Sequence, residues 1–396
     1  MKSNSPSSID PTVALLTSFV YFVQGALSLA AVAFPLLLRK KSWSVPEIAT
    51  FSFIVGLPWT LKIIYGAVSD AIPLWGLRRK PYVIFASLLS IGSWLGLAVN
   101  SEEKIFLYGF ALAANLGFAF TDVVTDALVV EHSMETNTQI YQSLAWGFRS
   151  LGAILGGVLG GWLAQNVSYH LTFGLTGLLP LSTLVVGFLI HEKPKERAKG
   201  FAHLWTPIAE GLRSIFQGDL RWFSALLLVG SFSAAISTPF FFFLKEKLGF
   251  SETFLGSLSS VAWLGAVAGC LLYAKCFQTI PMKTTLRWAI WLNVVNILTT
   301  FLVVGWMSAA TFSLLGGVLG YLGLLPLMSA AALLSRQKGI EGSLFALLMS
   351  VNNLGQLVAT FIGGKLFGII GLPGLILLSA GVSLTGLYFV GKLKTV

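Results

Sequence analysis

The sequence predicts an all-α polytopic membrane protein with twelve transmembrane helices in two six-helix halves. Three observations predict it. Charged residues make up 11% of the 396, hydrophobic residues 55%, and mean hydropathy is +0.81, whereas a soluble chain carries about 25% charged residues. The apolar stretches are long runs rather than alternating segments of about ten residues, which selects helices over a β-barrel. One extended polar segment, HEKPKERAKGFAHLWTPIAEGLRSIFQGDL at 191–220, divides these runs six and six.

Taken in order, the polar start MKSNSPSSIDP precedes an apolar run at 12–38. That run is longer than a signal-peptide core and lacks a cleavage site, so it is expected to be a retained first span. Further spans are expected at 48–69, 81–100, 105–131, 141–165 and 171–190. After the polar segment come 221–244, 253–274, 285–305, 309–334, 343–368 and 374–391. The expected domains are a half at 1–190, a cytoplasmic linker at 191–220 and a half at 221–396. Trp43, Trp75, Trp205, Trp222 and Trp306 fall near span ends, as interfacial aromatics do.

Loop charge sets orientation. With both termini inside, the inner loops and tails hold about 15 Lys and Arg and the outer loops about 6, so both termini are expected in the cytoplasm. The block Arg39, Lys40, Lys41 dissents from that count. The net charge of +10 is read as basic loops facing anionic lipid rather than as a nucleic-acid footprint. Cys270 and Cys276 match no metal spacing, and Cys276 falls on the reducing side, so no disulfide is expected.

The halves read as repeats. Leu151-Gly152 and Gly160-Gly161 in the fifth span recur as Leu354-Gly355 and Gly363-Gly364 in the eleventh, 203 residues on. Tyr65-Gly66 and Ile72-Pro73 are echoed by Tyr273-Ala274 and Ile280-Pro281, without the acid and most of the basic block. Two six-helix halves joined by a cytoplasmic loop are the architecture of the major facilitator fold.

Charge inside the spans is the functional signal, because an ionised group in the bilayer centre costs at least about 2.5–3.5 kcal/mol. Lys62 in the second span, Asp122 in the fourth and Arg149 in the fifth are each eight or nine residues from the cytoplasmic end of their span. That places all three about 12–14 Å deep. Asp126 lies one turn nearer the cytoplasm on the face of Asp122. These four are expected to form a substrate-binding and proton-coupling site. A permanent Asp122–Arg149 pair locking two helices is the bland alternative. Asp70 with Arg78, Arg79 and Lys80 at the inner mouth is expected to be a gate, with an ordinary positive-inside turn as its alternative. Glu131, His132 and Glu135 are expected to be solvated. The second half offers amides instead: Asn352, Asn353 and Gln356 in the eleventh span, Asn293 and Asn296 in the ninth. Asn352 aligns with Arg149 in the repeat, and the amides suit either a polar ring or helix–helix bonding. Phosphate-loop, triad and metal-cluster patterns are absent, so no enzyme and no cofactor are expected.

Gly66-x-x-x-Asp70 and Arg78-Arg79 resemble the loop 2–3 signature of the major facilitator superfamily, with Ile72–Gly76 inserted. GLPWTLKIIYGAVSDAIPLWGLRRKPY at 56–82, TDVVTDALVVEHS at 121–133 and QSLAWGFRSLGAILGG at 142–157 resemble, more specifically, the folate–biopterin transporter family. That family comprises twelve-helix carriers of protozoa, plants and cyanobacteria. The resemblance covers mainly 48–165 and is weaker in the second half. It implies proton-coupled symport of folates or pterins, with Lys62, Asp70, Arg78, Arg79, Asp122, Asp126 and Arg149 at the matching positions. A pterin edge would suit Asp122 or Asp126, and a folate glutamate tail Arg149 or Lys62. The expected partners are this small molecule, protons and the lipid bilayer, with no nucleic acid, and by fold analogy the chain is a monomer. The expected location is the cell membrane, or a plastid envelope for a plant source. Two alternatives stand beside this: a carrier of another anionic solute, and a membrane assembly factor for pigment complexes.

Overall fold

The computed structural model describes residues 9–132, 138–192, 194, 202–277, 280–336 and 341–394. Glu135 and residues 195–201 of the expected linker lie outside the described residues. Apolar helices long enough to cross a bilayer are α1 (Pro11–Lys40), α2 (Val45–Ala71), α3 (Lys80–Val99), α4 (Lys104–His132), α5 (Ile140–Asn166) and α6 (Tyr169–Leu189). They continue as α7 (Gly218–Lys247), α8 (Glu252–Cys276), α9 (Met282–Leu302), α10 (Trp306–Leu334) and a 50-residue stretch, Ser343–Lys392. Fifty helical residues would run far beyond a bilayer core of about 30 Å. The stretch breaks at Gly371, where φ is 65° and Pro373 follows, so it is two spans, α11 (343–370) and α12 (372–392). Among the described residues eleven stretches therefore make twelve spans, as the hydropathy pattern predicts. Within the linker, Ala202–Ser214 is helical, where the sequence suggested only polar chain.

By contact the chain forms two compact units. The first comprises 1–33 and 64–205, and the second 34–63 and 206–396. The segment 34–63, the end of α1 and most of α2, thus goes with the second unit rather than with the rest of 1–190. The reasons are local. Phe53 meets Phe361 with ring centroids 5.3 Å apart, and a Cβ at Gly364 would collide with Ala49. Arg39 makes a two-pronged contact to Glu246, Nε–Oε1 2.7 Å and Nη2–Oε2 3.2 Å, and lies over the Phe242 ring. One member of the basic block that dissents from the positive-inside count, Arg39, is thus paired with an acid near the end of α7.

In the first unit α5 lies directly on α1. Gly152 and Gly160 have no room for a Cβ against the Phe22 and Leu29 carbonyls. In the second unit α11 lies on α7 in the same manner, Gly355 against Leu228 and Ser231, Gly363 against Ala235. Small residues let backbones approach where lipid supplies no hydrophobic drive between helices. The repeat that the sequence shows is therefore a repeated helix–helix seam. The helices opposite these seams also match: α1 tightens to a 3-10 turn at Leu27–Ala30 and α7 at Ser231–Ile236.

α2 is discontinuous as well. Pro58 lies in a 3-10 turn, Leu57–Thr60, after which the helix restarts at Lys62. A carbonyl freed in a bilayer must find a donor, and the Asn353 amide donates to Trp59 O at 3.0 Å. Asn353 is thus a helix-bonding amide.

Candidate functional site

The charged residues of the first unit meet on α1. α4 presents Asp122 and Asp126 on one face, one turn apart. Tyr21, on α1, donates its hydroxyl to Asp126 Oδ1 at 2.8 Å across 105 residues of sequence. Gln24, one turn on, donates Nε2 to Asp122 Oδ1 at 3.2 Å across 98 residues. Asp122 is 1% exposed. Arg149 comes from α5, with its guanidinium over the Trp146 ring, 5.1 Å from the centroid. Its turn of helix lies flush on α1, because Gly25 offers no Cβ to the Arg149 carbonyl. Asp122, Asp126 and Arg149 all lie within electrostatic reach of the Tyr21 hydroxyl. Three of the four charged residues singled out within the spans therefore lie near one tyrosine. Grouping acids with a base is what makes their burial tolerable, since each alone would cost at least about 2.5–3.5 kcal/mol.

Lys62 is placed otherwise. It starts the lower segment of α2 and belongs by contact to the second unit. Its ammonium lies 5.2 Å from the Trp59 ring centroid, a cation–π contact at the break in the helix. Tyr21 and Gln24 are the residues sequence reasoning missed. Both read as unremarkable members of the first apolar run, and only their polarity inside a span could have flagged them.

The turn between α2 and α3 is the second polar assembly of the first unit. Leu74 and Leu77 exchange both backbone hydrogen bonds, and Trp75 and Gly76 have φ of 50° and 78°, as in a tight hairpin turn. The turn delivers Arg79, 3% exposed, into a set of acceptors. Its guanidinium contacts Asp70 and Glu131, the latter at 2.8 Å, and Ser69. Glu131, in the last turn of α4, is exposed as expected and is also an ion-pair partner of Arg79. The carboxylate of Glu192, just past α6, accepts the backbone N–H groups of Arg78, Arg79 and Lys80 at 2.7–3.0 Å. An anion at the first turn of α3 meets the unpaired N–H groups there. Lys80 Nζ in turn donates to Phe188 O and Ile190 O at the end of α6. The partner found for Asp70 is Arg79 of its own turn.

The second unit holds a neutral counterpart to the charged cluster. A cavity of about 470 Å³ is lined by Asn293, Asn296, Asn352 and Gln356, with Phe240 and Phe312 among its apolar walls. Asn352 Oδ1 accepts from Ser231 Oγ at 3.0 Å. Asn293 Nδ2 donates to Gly230 O and Ser383 Oγ, each at 3.3 Å. Of the five amides noted in the sequence, four share this cavity, and Asn353 serves the break in α2.

Comparison with known proteins agrees with this architecture. The model of the BT1 family matches residues 23–374. A folate-biopterin transporter of Synechocystis is 30% identical over 88% of this chain and 73% of its own. Probable folate-biopterin transporter 4 of Arabidopsis thaliana is 28% identical over 90% of this chain and 88% of its own. Putative folate transporter 2 of Plasmodium berghei is 27% identical over 85% and 78%. Among solved structures, the nucleoside transporter NupG superposes with a TM-score of 0.76 at 12% identity, over 96% of this chain and 100% of its own. A human organic anion transporter gives 0.71 at 15%, over 96% and 100%. At such identities the structures show the fold alone, that of major facilitator transporters. The chain is a multi-pass membrane transporter and not an enzyme.

Proposed function

The chain belongs to the BT1 family, and on that premise we propose that it is a secondary active transporter of folate- or pterin-type organic anions, coupled to protons and working by alternating access. The observation that carries the reading is the cluster of Asp122, Asp126 and Arg149 around Tyr21, inside spans where charge has no structural use that an apolar pair would not serve more cheaply. Arg149 offers a fork for a substrate carboxylate and stays charged throughout. Lys62 is the second cation available to the anion. A carboxylate that loses its cation to substrate gains a reason to take up a proton. Gln24 fits Asp122 in both states. Its Nε2 donates to the carboxylate, while its Oε1 is buried and accepts nothing among the described residues. Turned over, the amide would accept from a protonated Asp122. Asn352 completes the set of substrate contacts.

The assembly of Asp70, Arg78 and Arg79 serves as the inner gate of alternating access, with Glu131 and Glu192 holding its residues in place within the first unit. The transporter acts as a monomer in the cell membrane, or in a plastid envelope if the source is a plant, with both termini cytoplasmic.

Uptake of labelled folate into proteoliposomes, with and without an inward proton gradient, tests the reading. The gradient is expected to stimulate the wild type. Asp122→Asn is expected to lose the stimulation while still exchanging substrate across the membrane. Stimulation that survives in Asp122→Asn removes that residue from coupling, and no gradient effect in the wild type removes symport.

A further inference from the structure

The cavity of the second unit is built for an uncharged ligand. None of its lining residues is ionisable, unlike the clusters of the first unit around Tyr21 and Arg79. Yet it is rich in hydrogen-bonding groups that the protein leaves unused. Among the described residues, no hydrogen bond engages the side-chain amides of Asn296 and Gln356. Asn352 uses its Oδ1 on Ser231 and keeps its Nδ2. Asn293 uses its Nδ2 and keeps its Oδ1. Asn293, Asn296 and Asn352 are partly exposed and Gln356 is exposed, so these groups are open to water or to a ligand in the cavity.

The inventory also defines the ligand. Each free amide presents a donor and an acceptor side by side, the complement of a lactam-like edge on a heterocycle. Phe240 and Phe312 and aliphatic side chains supply the apolar remainder of the walls, as a flat ring requires. The volume, about 470 Å³, lies within the range of small-molecule sites, about 300–1,000 Å³, and far exceeds the ~30 Å³ share of one water. The broken turn of α7 at Ser231–Ile236 lines one side, and transporters place binding sites at such discontinuities.

We propose that the second unit contains its own binding site for a flat, uncharged heterocycle with amide-like edges, held by Asn293, Asn296, Asn352 and Gln356. The ring portion of the substrate is then recognised by neutral amides, and not by the carboxylates of Asp122 or Asp126. This rests on the transport reading above only for the choice of probes.

The test uses purified full-length protein in lipid nanodiscs and calorimetric titration with two probes. Biopterin carries the ring without a carboxylate, and p-aminobenzoylglutamate carries the carboxylates without the ring. An Asn296→Ala/Gln356→Ala variant is expected to bind biopterin on the order of tenfold more weakly, as the loss of two hydrogen bonds implies. Its affinity for p-aminobenzoylglutamate is expected to stay at the wild-type value, which also shows that the variant is folded. Biopterin binding that survives in this variant and is lost in Asp122→Asn overturns the proposal and leaves the transport reading standing. Wild-type protein that binds biopterin through these amides but moves no folate supports the proposal and overturns the transport reading. Wild-type protein that binds neither probe overturns both.

Discussion

The two units solve the same packing problem and then differ in the chemistry placed on it. In the first, Arg149 on α5 lies where Gly25 lets α1 approach, and acids from α4 gather beside it. In the second, 203 residues on, Asn352 of α11 lies against Ser231 of α7, and amides and hydroxyls gather beside it without an ionisable group. The turn after the second span shows the same contrast. Between α2 and α3 it holds a buried arginine among acids, whereas the corresponding stretch near Tyr273 and Ile280 has no acid and little of the basic block. A duplicated helix seam fixes where polar groups can face inward, and leaves open which polar groups they are. Charge suits ion coupling, because it changes with protonation. Amides suit shape-specific recognition, because they do not.

Substitutions that erase or transfer this asymmetry test it. The largest effect is expected at the turn. Arg79→Ala leaves the solvent-exposed Asp70 and Glu131 carboxylates facing each other without their cation, and loss of the buried guanidinium's charge-assisted hydrogen bonds costs about 3 kcal/mol. Thermal unfolding in detergent should fall accordingly, and a shift of less than a degree would show that the assembly is dispensable for the fold. Arg149→Asn, which gives the first unit the residue of the second, should come next. Folate uptake is expected to drop about a hundredfold, worth roughly 2.7 kcal/mol, with the protein still monodisperse. Retained uptake would show that the two positions are chemically interchangeable. The reverse change, Asn352→Arg, brings a charge into a cavity with no acid in its lining. A loss of stability of about 2 kcal/mol is expected, softened from the full insertion cost by the space available to the side chain. An unchanged melting temperature would mean that the cavity is already hydrated enough to accept a cation.

Much of this was legible in the sequence. Hydropathy fixes spans to within a few residues, because a bilayer demands about 20 apolar residues and tolerates few charges. The exceptions it does tolerate then identify themselves, and Asp122, Asp126 and Arg149 all lie within electrostatic reach of the Tyr21 hydroxyl. Asn352 lines a cavity at the position the repeat assigned to it. Other features were not legible. Tyr21 and Gln24 looked like ordinary members of an apolar helix, because nothing local marks a hydrogen bond that spans 105 or 98 residues. Glu131 read only as a solvated acid, and Glu192 was not singled out, because a boundary residue shows no partner until the packing is seen.

By itself, then, the sequence determined the number of spans, their pairing into repeats and the residues too polar for lipid to ignore. These follow from one-dimensional constraints: length, periodicity and the price of charge in hydrocarbon. Tertiary structure alone decided which of those residues meet. It grouped 34–63, and with it Lys62, with the second unit, where the Lys62 ammonium meets the Trp59 ring. It also divided the five amides between a cavity and a helix break. The reason is physical. Depth in a membrane is set by position along one helix, whereas contact depends on the rotation and packing of several, and the sequence encodes the second only through their sum.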